Sequence, residues 1–194
     1  MVRYSAEHKE AQRARLLRDG GRLIKERGLR GLSLRTLASE LGVSVSGLYT
    51  YFENSDAMAE ALLEAEVQRS VDNFKRVRAA MDDGETRGVV WHGFLQSYLS
   101  LAHVRNPGAG CAIAALASDM PMQSPALRDT YTQASRTIAT LIDESLGTQD
   151  RGHGILASVI GAINLARAEI DDDRAEAVLD SATGQILPML LAPE

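Results

Sequence analysis

The 194-residue sequence predicts an all-α chain of about nine helices, and three observations carry that expectation. Period-two alternation of apolar and polar residues, the mark of a half-buried strand, is nearly absent. Apolar side chains recur instead at three- and four-residue spacing along most of the chain. The intervals between these stripes are punctuated by Ser, Asn, Asp, Gly and Pro, which cap helices and turn the backbone.

A first helix runs from about Ser5 to Arg27 on Leu16, Leu17, Leu23 and Ile24, with Gly28 available to close it in a left-handed cap. Gly20 and Gly21 inside it each cost about 1 kcal/mol relative to alanine, so they imply either a closely approaching neighbour helix or a local break. Ser33 caps a short second helix, Leu34 to Leu41, with Leu34, Leu37, Ala38 and Leu41 on one face. Gly42 stops it, and Ser44 caps a third helix ending near Phe52. Asn54 or Ser55 caps a long fourth helix carrying Met58, Leu62, Ala65 and Val67, up to a break at Asp82-Asp83-Gly84. A fifth helix is expected from about Glu85 to Val104. The turn Asn106-Pro107-Gly108 precedes a helix bearing Cys111, Ile113 and Leu116, and a second break falls at Met120 to Ser124. Ser124 followed by Pro125 opens a helix to about Leu146 before Gly147. Two last helices span about Asp150 to Ile170 and Asp172 to Leu191. The first has Ile155, Val159, Ile160, Ile163 and Ala166 among small Gly161 and Ala162, a surface that suits either an internal core helix or a subunit interface.

Composition narrows the function classes. With 45% hydrophobic and 24% charged residues, the chain has the make-up of a soluble globular protein, and no apolar run approaches the roughly 18 residues of a membrane span. A cytoplasmic protein without membrane contact is expected. One cysteine and four scattered histidines make no metal spacing, so neither a metal nor a cofactor is expected. No nucleophile elbow, Gly-rich phosphate loop or paired-carboxylate motif appears, which speaks against an enzyme. The net charge of -5 is unevenly spread: residues 1–55 carry ten Lys/Arg against six Asp/Glu, and the remainder eleven against twenty. The positive charge gathers where a DNA-binding module would sit.

Residues 31–52, GLSLRTLASELGVSVSGLYTYF, are the informative stretch. Two short amphipathic helices meet at a tight turn, Gly42-Val43-Ser44, which is helix-turn-helix spacing. Ala38 lets the helices approach, and Val43 and Leu48 plug the space between them. A unit this small needs the first helix to complete a three-helix head. Val45, Ser46 and Gly47 then fall at the N-terminal end of the second short helix, where side chains reach base edges in a major groove. Tyr49, Thr50 and Tyr51 supply hydroxyls for phosphates or bases, while Leu48 and Phe52 face inward. Ser33 and Arg35 stand at a helix start, whose positive dipole end favours a phosphate.

On these residues, residues 9–63 resemble the DNA-binding domain of the TetR repressor family: a first helix ending Glu-Arg-Gly, then GLSLRTLA, LGVS and LYTYF, then a helix with Ala-Leu-Leu. Family members typically carry a phosphate-contacting lysine near the start of the fourth helix, where this chain has Ser55 or Asp56; Ser55 can still donate a hydrogen bond. The resemblance implies a DNA-binding domain over residues 1–54 and a helical effector-binding and dimerisation domain over 55–194. It implies a homodimer whose last two helices pair with their copies, with Ile155, Val159, Ile163, Leu179 and Ile186 in the interface. It also implies repression at a pseudo-palindromic double-stranded operator, relieved by an unidentified small-molecule effector held between the middle helices. Trp91, Phe94, Tyr98, Met120, Met122 and Tyr131 are candidates to line that pocket, although side chains of this kind on helices are more often plain core, and Cys111 is a candidate ligand contact, an electrophile or oxidant sensor, or, as is commoner for a lone cysteine in an apolar run, a small buried hydrophobe. His92 and His103, eleven residues apart, roughly share a face. A competing reading is a dimeric interaction protein that kept this fold without DNA binding, suggested by the absent lysine and the acidic total charge.

Overall fold

A computed structural model describes residues 6–30, 33–82 and 86–191; the expected start at Ser5, the beginning of the GLSLR motif, and the break and helix start at residues 83–85 lie outside them. The described residues form ten α-helices and no strand: α1 (Ala6–Arg27), α2 (Leu34–Glu40), α3 (Val45–Leu48), α4 (Ser55–Asp82), α5 (Arg87–Tyr98), α6 (Leu101–Arg105), α7 (Ala112–Leu116), α8 (Pro125–Leu146), α9 (Gly152–Ala168) and α10 (Asp172–Leu191), with a 3₁₀ turn at Met120–Met122.

α1 runs unbroken through its glycine pair. A Cβ on Gly20 would sit 2.8 Å from Leu62 Cδ2, and one on Gly21 would overlap the Glu66 carboxylate, so the pair exists to let α4 lie against α1. Gly28 ends α1 at φ 76°, its N–H donating to Ile24 O at 2.8 Å. The Asp119 carboxylate fills the space a Cβ would need there and accepts the Leu29 N–H at 2.7 Å, fastening the end of α1 to a segment 90 residues away.

The 28-residue α4 is the spine: its first turns pack into the head through Met58 and Leu62, and its later turns lie along α5, α7 and α8. Asn54, rather than Ser55, caps it, with Asn54 Oδ1 accepting the Ala57 N–H at 2.8 Å. The single helix expected over Glu85 to Val104 is two. α5 stops at Leu99, and Ser100 Oγ caps α6 by accepting the His103 N–H at 3.2 Å; a serine that side-chain caps a new turn outcompetes helix continuation. Ser124 caps α8 with Pro125 in its first turn, and Gly147 closes it at φ 72°, as the sequence predicts. The buried Asp143 carboxylate then starts α9, accepting N–H groups of Arg151 and Gly152 at 3.0 and 2.8 Å and the Thr148 hydroxyl at 3.0 Å.

Candidate nucleic-acid interface

α2 and α3 carry the short hydrophobic faces the sequence prescribes. Leu37, Ala38, Leu41 and Leu48 are buried, Gly42 turns the chain at φ 66°, and Val43 N–H donates to Ala38 O at 3.0 Å. Ser33 Oγ accepts the Thr36 N–H at 3.1 Å, and Ser44 Oγ accepts the Gly47 N–H at 3.0 Å, so both helix starts are side-chain capped. At Gly47 a Cβ would lie 3.1 Å from Ser44 Oγ, which makes the absence of a side chain part of the cap.

α3 is shorter than expected. It ends at Leu48, and Tyr49, Thr50 and Tyr51 follow on a turn in which the Thr50 N–H reaches Gly47 O at 3.2 Å and the Phe52 N–H reaches Leu48 O at 3.0 Å. A run of aromatic and β-branched residues resists helix continuation, while burial of Leu48 and Phe52 still pulls the turn onto the head. The outward side chains are those expected: Tyr49 is 48% exposed, and Ser33, Arg35, Ser44, Ser46, Thr50 and Ser55 are exposed. Val45, Gly47 and Tyr51 are half-buried, with Val45 and Tyr51 leaning on the core. Arg35 has no ion-pair partner among the described residues. Ser55 Oγ donates to Asp56 Oδ1 at 3.4 Å.

Three α1 arginines hold this surface in position, and sequence reading had counted them only as charge. Arg13 lies 5.5 Å over the Phe52 ring, Arg15 donates to Leu41 O at 3.3 Å, and Arg27 pairs with Glu40 at 2.8 Å. Nothing in the local pattern marks them, because their partners become neighbours only on folding.

The body departs further from expectation. Ile155, Val159, Ile163, Leu179 and Ile186 are at most 4% exposed and face the chain's own core, not a partner. An α9 stripe this apolar serves α6, α7, α8 and α10 of the same chain. The outer face of α9 is formed by His153, Gly154, Ala157, Ser158, Gly161 and Leu165, with Leu165 65% exposed and no charged side chain among them. Beyond Asp180, α10 is likewise uncharged, and Ser181, Gly184, Gln185, Pro188 and Met189 point outward.

Of the seven candidate pocket residues, only Tyr98 and Cys111 border the large cleft, a space of about 790 Å³ between α1, α4 and residues 97–111. Phe94 packs edge-on against Trp91 and tilted against Phe74, at centroid distances of 5.6 and 5.0 Å, in one aromatic core. Tyr131 is buried, its hydroxyl donating to Ile113 O at 2.7 Å; Met120 is buried beneath the 3₁₀ turn, whereas Met122 is 65% exposed. The aromatic stripe is therefore core, and the cleft is polar, with several arginines on its walls. Cys111 is half-buried at the N-cap of α7. His92 is exposed and His103 borders the cleft, so the two do not meet there.

His103 is locked as a neutral ring: Nε2 accepts the Cys111 N–H at 3.1 Å, and Nδ1, 2.5 Å from Tyr98 O, must then carry the proton. Burial lowers its pKa below the ordinary 6.5, Arg167 and Lys25 push the same way, and the Tyr98 carbonyl opposes them. The unfolded chain thus binds this proton more readily than the folded one. Stability contributed by the neutral ring is full above pH 6.5 and is lost as the pH falls from there through the lowered folded value. His103→Gln should flatten that decline in urea titrations between neutral pH and pH 5; coincident profiles for variant and parent would show that His103 is not its source.

A capped short helix on a basic three-helix head, with polar and aromatic side chains on its free side, has the form of a helix-turn-helix head. Residues 16–62 match the family described as bacterial regulatory proteins, tetR family. Over 87 residues it is 36% identical to the nucleoid occlusion factor SlmA of Haemophilus influenzae, an overlap that covers 44% of this chain and 38% of that relative. The fold as a whole is similar to that of a TetR-family regulator from Agrobacterium tumefaciens, with TM-score 0.78, 15% identity and coverage of 95% of this chain and all of the other. It is also similar to reduced E. coli NemR, with TM-score 0.74, 18% identity and coverage of 90% and 96%. A third similar structure is AibR in complex with isovaleryl coenzyme A and operator DNA, with TM-score 0.62, 16% identity and coverage of 91% and 98%. Among the described residues no helix is long and apolar enough to cross a membrane.

Proposed function

We propose that the chain is a homodimeric repressor of a pseudo-palindromic operator, released by a small-molecule effector. The observation that carries this reading is the sidedness of residues 44–52: Leu48 and Phe52 are buried while Ser46, Tyr49 and Thr50 stand free for a major groove. The head of residues 1–54 reads DNA through Ser44, Val45, Ser46, Gly47, Tyr49, Thr50 and Tyr51, and holds phosphates through Ser33, Arg35 and Ser55. Residues 55–194 form the effector and dimer domain, coupled to the head because the first turns of α4 pack into it through Met58 and Leu62. The uncharged outer faces of α9 and of α10 beyond Asp180 support a two-fold four-helix interface: a solvated helix of 17 residues ordinarily carries charge on its free side, and α9 has none among its exposed residues. The AibR complex, a protein of similar fold bound to both a ligand and operator DNA, supports an effector in the body.

The test is a fluorescence-anisotropy titration on DNA from upstream of the chain's own gene. Tyr49→Ala should weaken specific binding about tenfold, the scale of one lost base contact, with the dimer intact by light scattering. Arg35→Ala should lower the log–log salt slope by about one, as loss of a single phosphate contact does. Unaltered affinity in Tyr49→Ala, or absence of any salt-dependent binding by the parent, would remove the DNA reading and favour a pure interaction protein.

A further inference from the structure

The cleft beside the head has a chemistry of its own. Arg18, Arg22 and Lys25 border it from α1, at the i, i+4, i+7 spacing of one helix face, and Arg69 and Arg76 border it from α4. Only two carboxylates, Asp19 and Glu66, lie on the same walls. Glu66 is divided between Lys25 at 2.8 Å and Arg69 at 2.9 Å. Arg18 has a long 3.4 Å contact to Asp19, and Arg22 is paired with Glu26. Arg76 donates to Asn73 Oδ1 at 3.2 Å and has no carboxylate among the described residues. Positive charge thus exceeds its internal compensation here, in a body that is otherwise strongly acidic.

A second observation is independent of the arginines. Tyr98 forms part of the wall, is 94% buried by its 6% exposure, and its hydroxyl lies beside the Cys111 thiol without a well-formed hydrogen bond to any group. A buried hydroxyl left without a partner costs free energy. Burial pushes this phenol well above its ordinary range, so it keeps its proton and remains a donor. Ser97, Ser100 and Asn106 add polar groups to the same wall. A space of about 790 Å³ is that of a cofactor- or drug-sized ligand. No described residue between Lys25 and Glu66 borders it, so the helix-turn-helix is not part of the cleft.

We propose that this cleft binds a small molecule bearing two or more negative charges, phosphoryl or carboxylate, clamped between Arg18 and Arg22 of α1 and Arg69 and Arg76 of α4. It rests on the effector reading above and names that effector's chemical class. Arginine forks suit both groups, because two parallel N–H donors match two anionic oxygens. A ligand so held ties α1, which carries the DNA-reading surface through Arg13, Arg15 and Arg27, to α4 and the 97–111 segment.

The test uses the full chain and two probes, inorganic pyrophosphate for the phosphoryl source and citrate for the carboxylate source, titrated calorimetrically at constant ionic strength in KCl. At least one probe should bind saturably at one site per chain, and the preferred probe identifies the source. Arg18→Gln/Arg76→Gln, both at exposed positions, should weaken it about tenfold or more, while Arg128→Gln, away from the cleft, leaves it unchanged. Thermal melts of each variant show whether it is folded. No saturable binding of either probe overturns the proposal, as does undiminished binding by the folded double variant. Weakening by Arg35→Gln in place of the cleft variants also overturns it, because the anion then occupies the DNA surface. DNA binding without probe binding sinks this inference alone; probe binding without DNA binding sinks the regulator reading and leaves the anion site standing.

Discussion

Replacing Glu66 with alanine should cost about 3–5 kcal/mol of folding stability, the scale on which an ion is left buried without its partner. Glu66 is 1% exposed, and its two oxygens hold Lys25 at 2.8 Å and Arg69 at 2.9 Å. Lys25 is itself 9% exposed, and its one other acceptor among the described residues is Gly110 O at 3.0 Å. Removing the carboxylate strands that ammonium in the joint between α1 and α4 and leaves Arg69 facing it with like charge. Glu66→Gln, which keeps shape and two hydrogen-bonding ends, should lose less. Urea denaturation with matched slopes measures both, and a loss below about 1 kcal/mol for the alanine variant would mean that water already serves Lys25.

The second large effect concerns assembly. If the proposed dimer forms through α9, Leu165→Glu should convert it to a folded monomer and lower operator affinity on the order of a thousandfold, toward the level of non-specific binding. Leu165 is 65% exposed in the single chain, so the substitution spares the core. In a two-fold interface it sets a desolvated charge against or near its own copy. Sedimentation velocity and anisotropy on the same samples read the two consequences together. A variant that stays dimeric while losing DNA would move the interface away from α9, and one that is dimeric and fully active would do so as well.

The head was legible because its determinants are local. Ser33 and Ser44 cap helices within three residues of themselves, Gly28 and Gly42 mark left-handed turns in place, and Leu48 and Phe52 alternate with exposed neighbours in a register that fixes which side is free. The body was legible only in outline. Ile155, Val159 and Ile163 form a stripe that any apolar partner satisfies, and the sequence does not say whether that partner is the same chain or another; burial assigned it to the same chain. The informative side of α9 was the opposite one, where the signal is missing charge rather than present hydrophobicity. Trp91 and Phe94 drew attention as pocket residues because of size, yet large rings in a helical body pack on one another first. The cleft did leave a trace that was readable beforehand: Arg18, Arg22 and Lys25 at helical spacing on one face, and Arg69 and Arg76 seven apart on another. What could not be read was that the two faces meet, since that depends on Gly20 and Gly21 drawing α4 against α1.

The seam at Gly20, Gly21 and Asp119 bears on how such proteins are rearranged, by nature or at the bench. A graft of residues 1–54 onto a foreign body would bring the two glycines without the leucine and glutamate shaped to meet them, and would leave the Leu29 amide without its distant acceptor. Swapping specificity between proteins of this design therefore calls for exchanging the reading residues alone, or for carrying the first four turns of α4 and the Asp119 segment along with the transplanted piece.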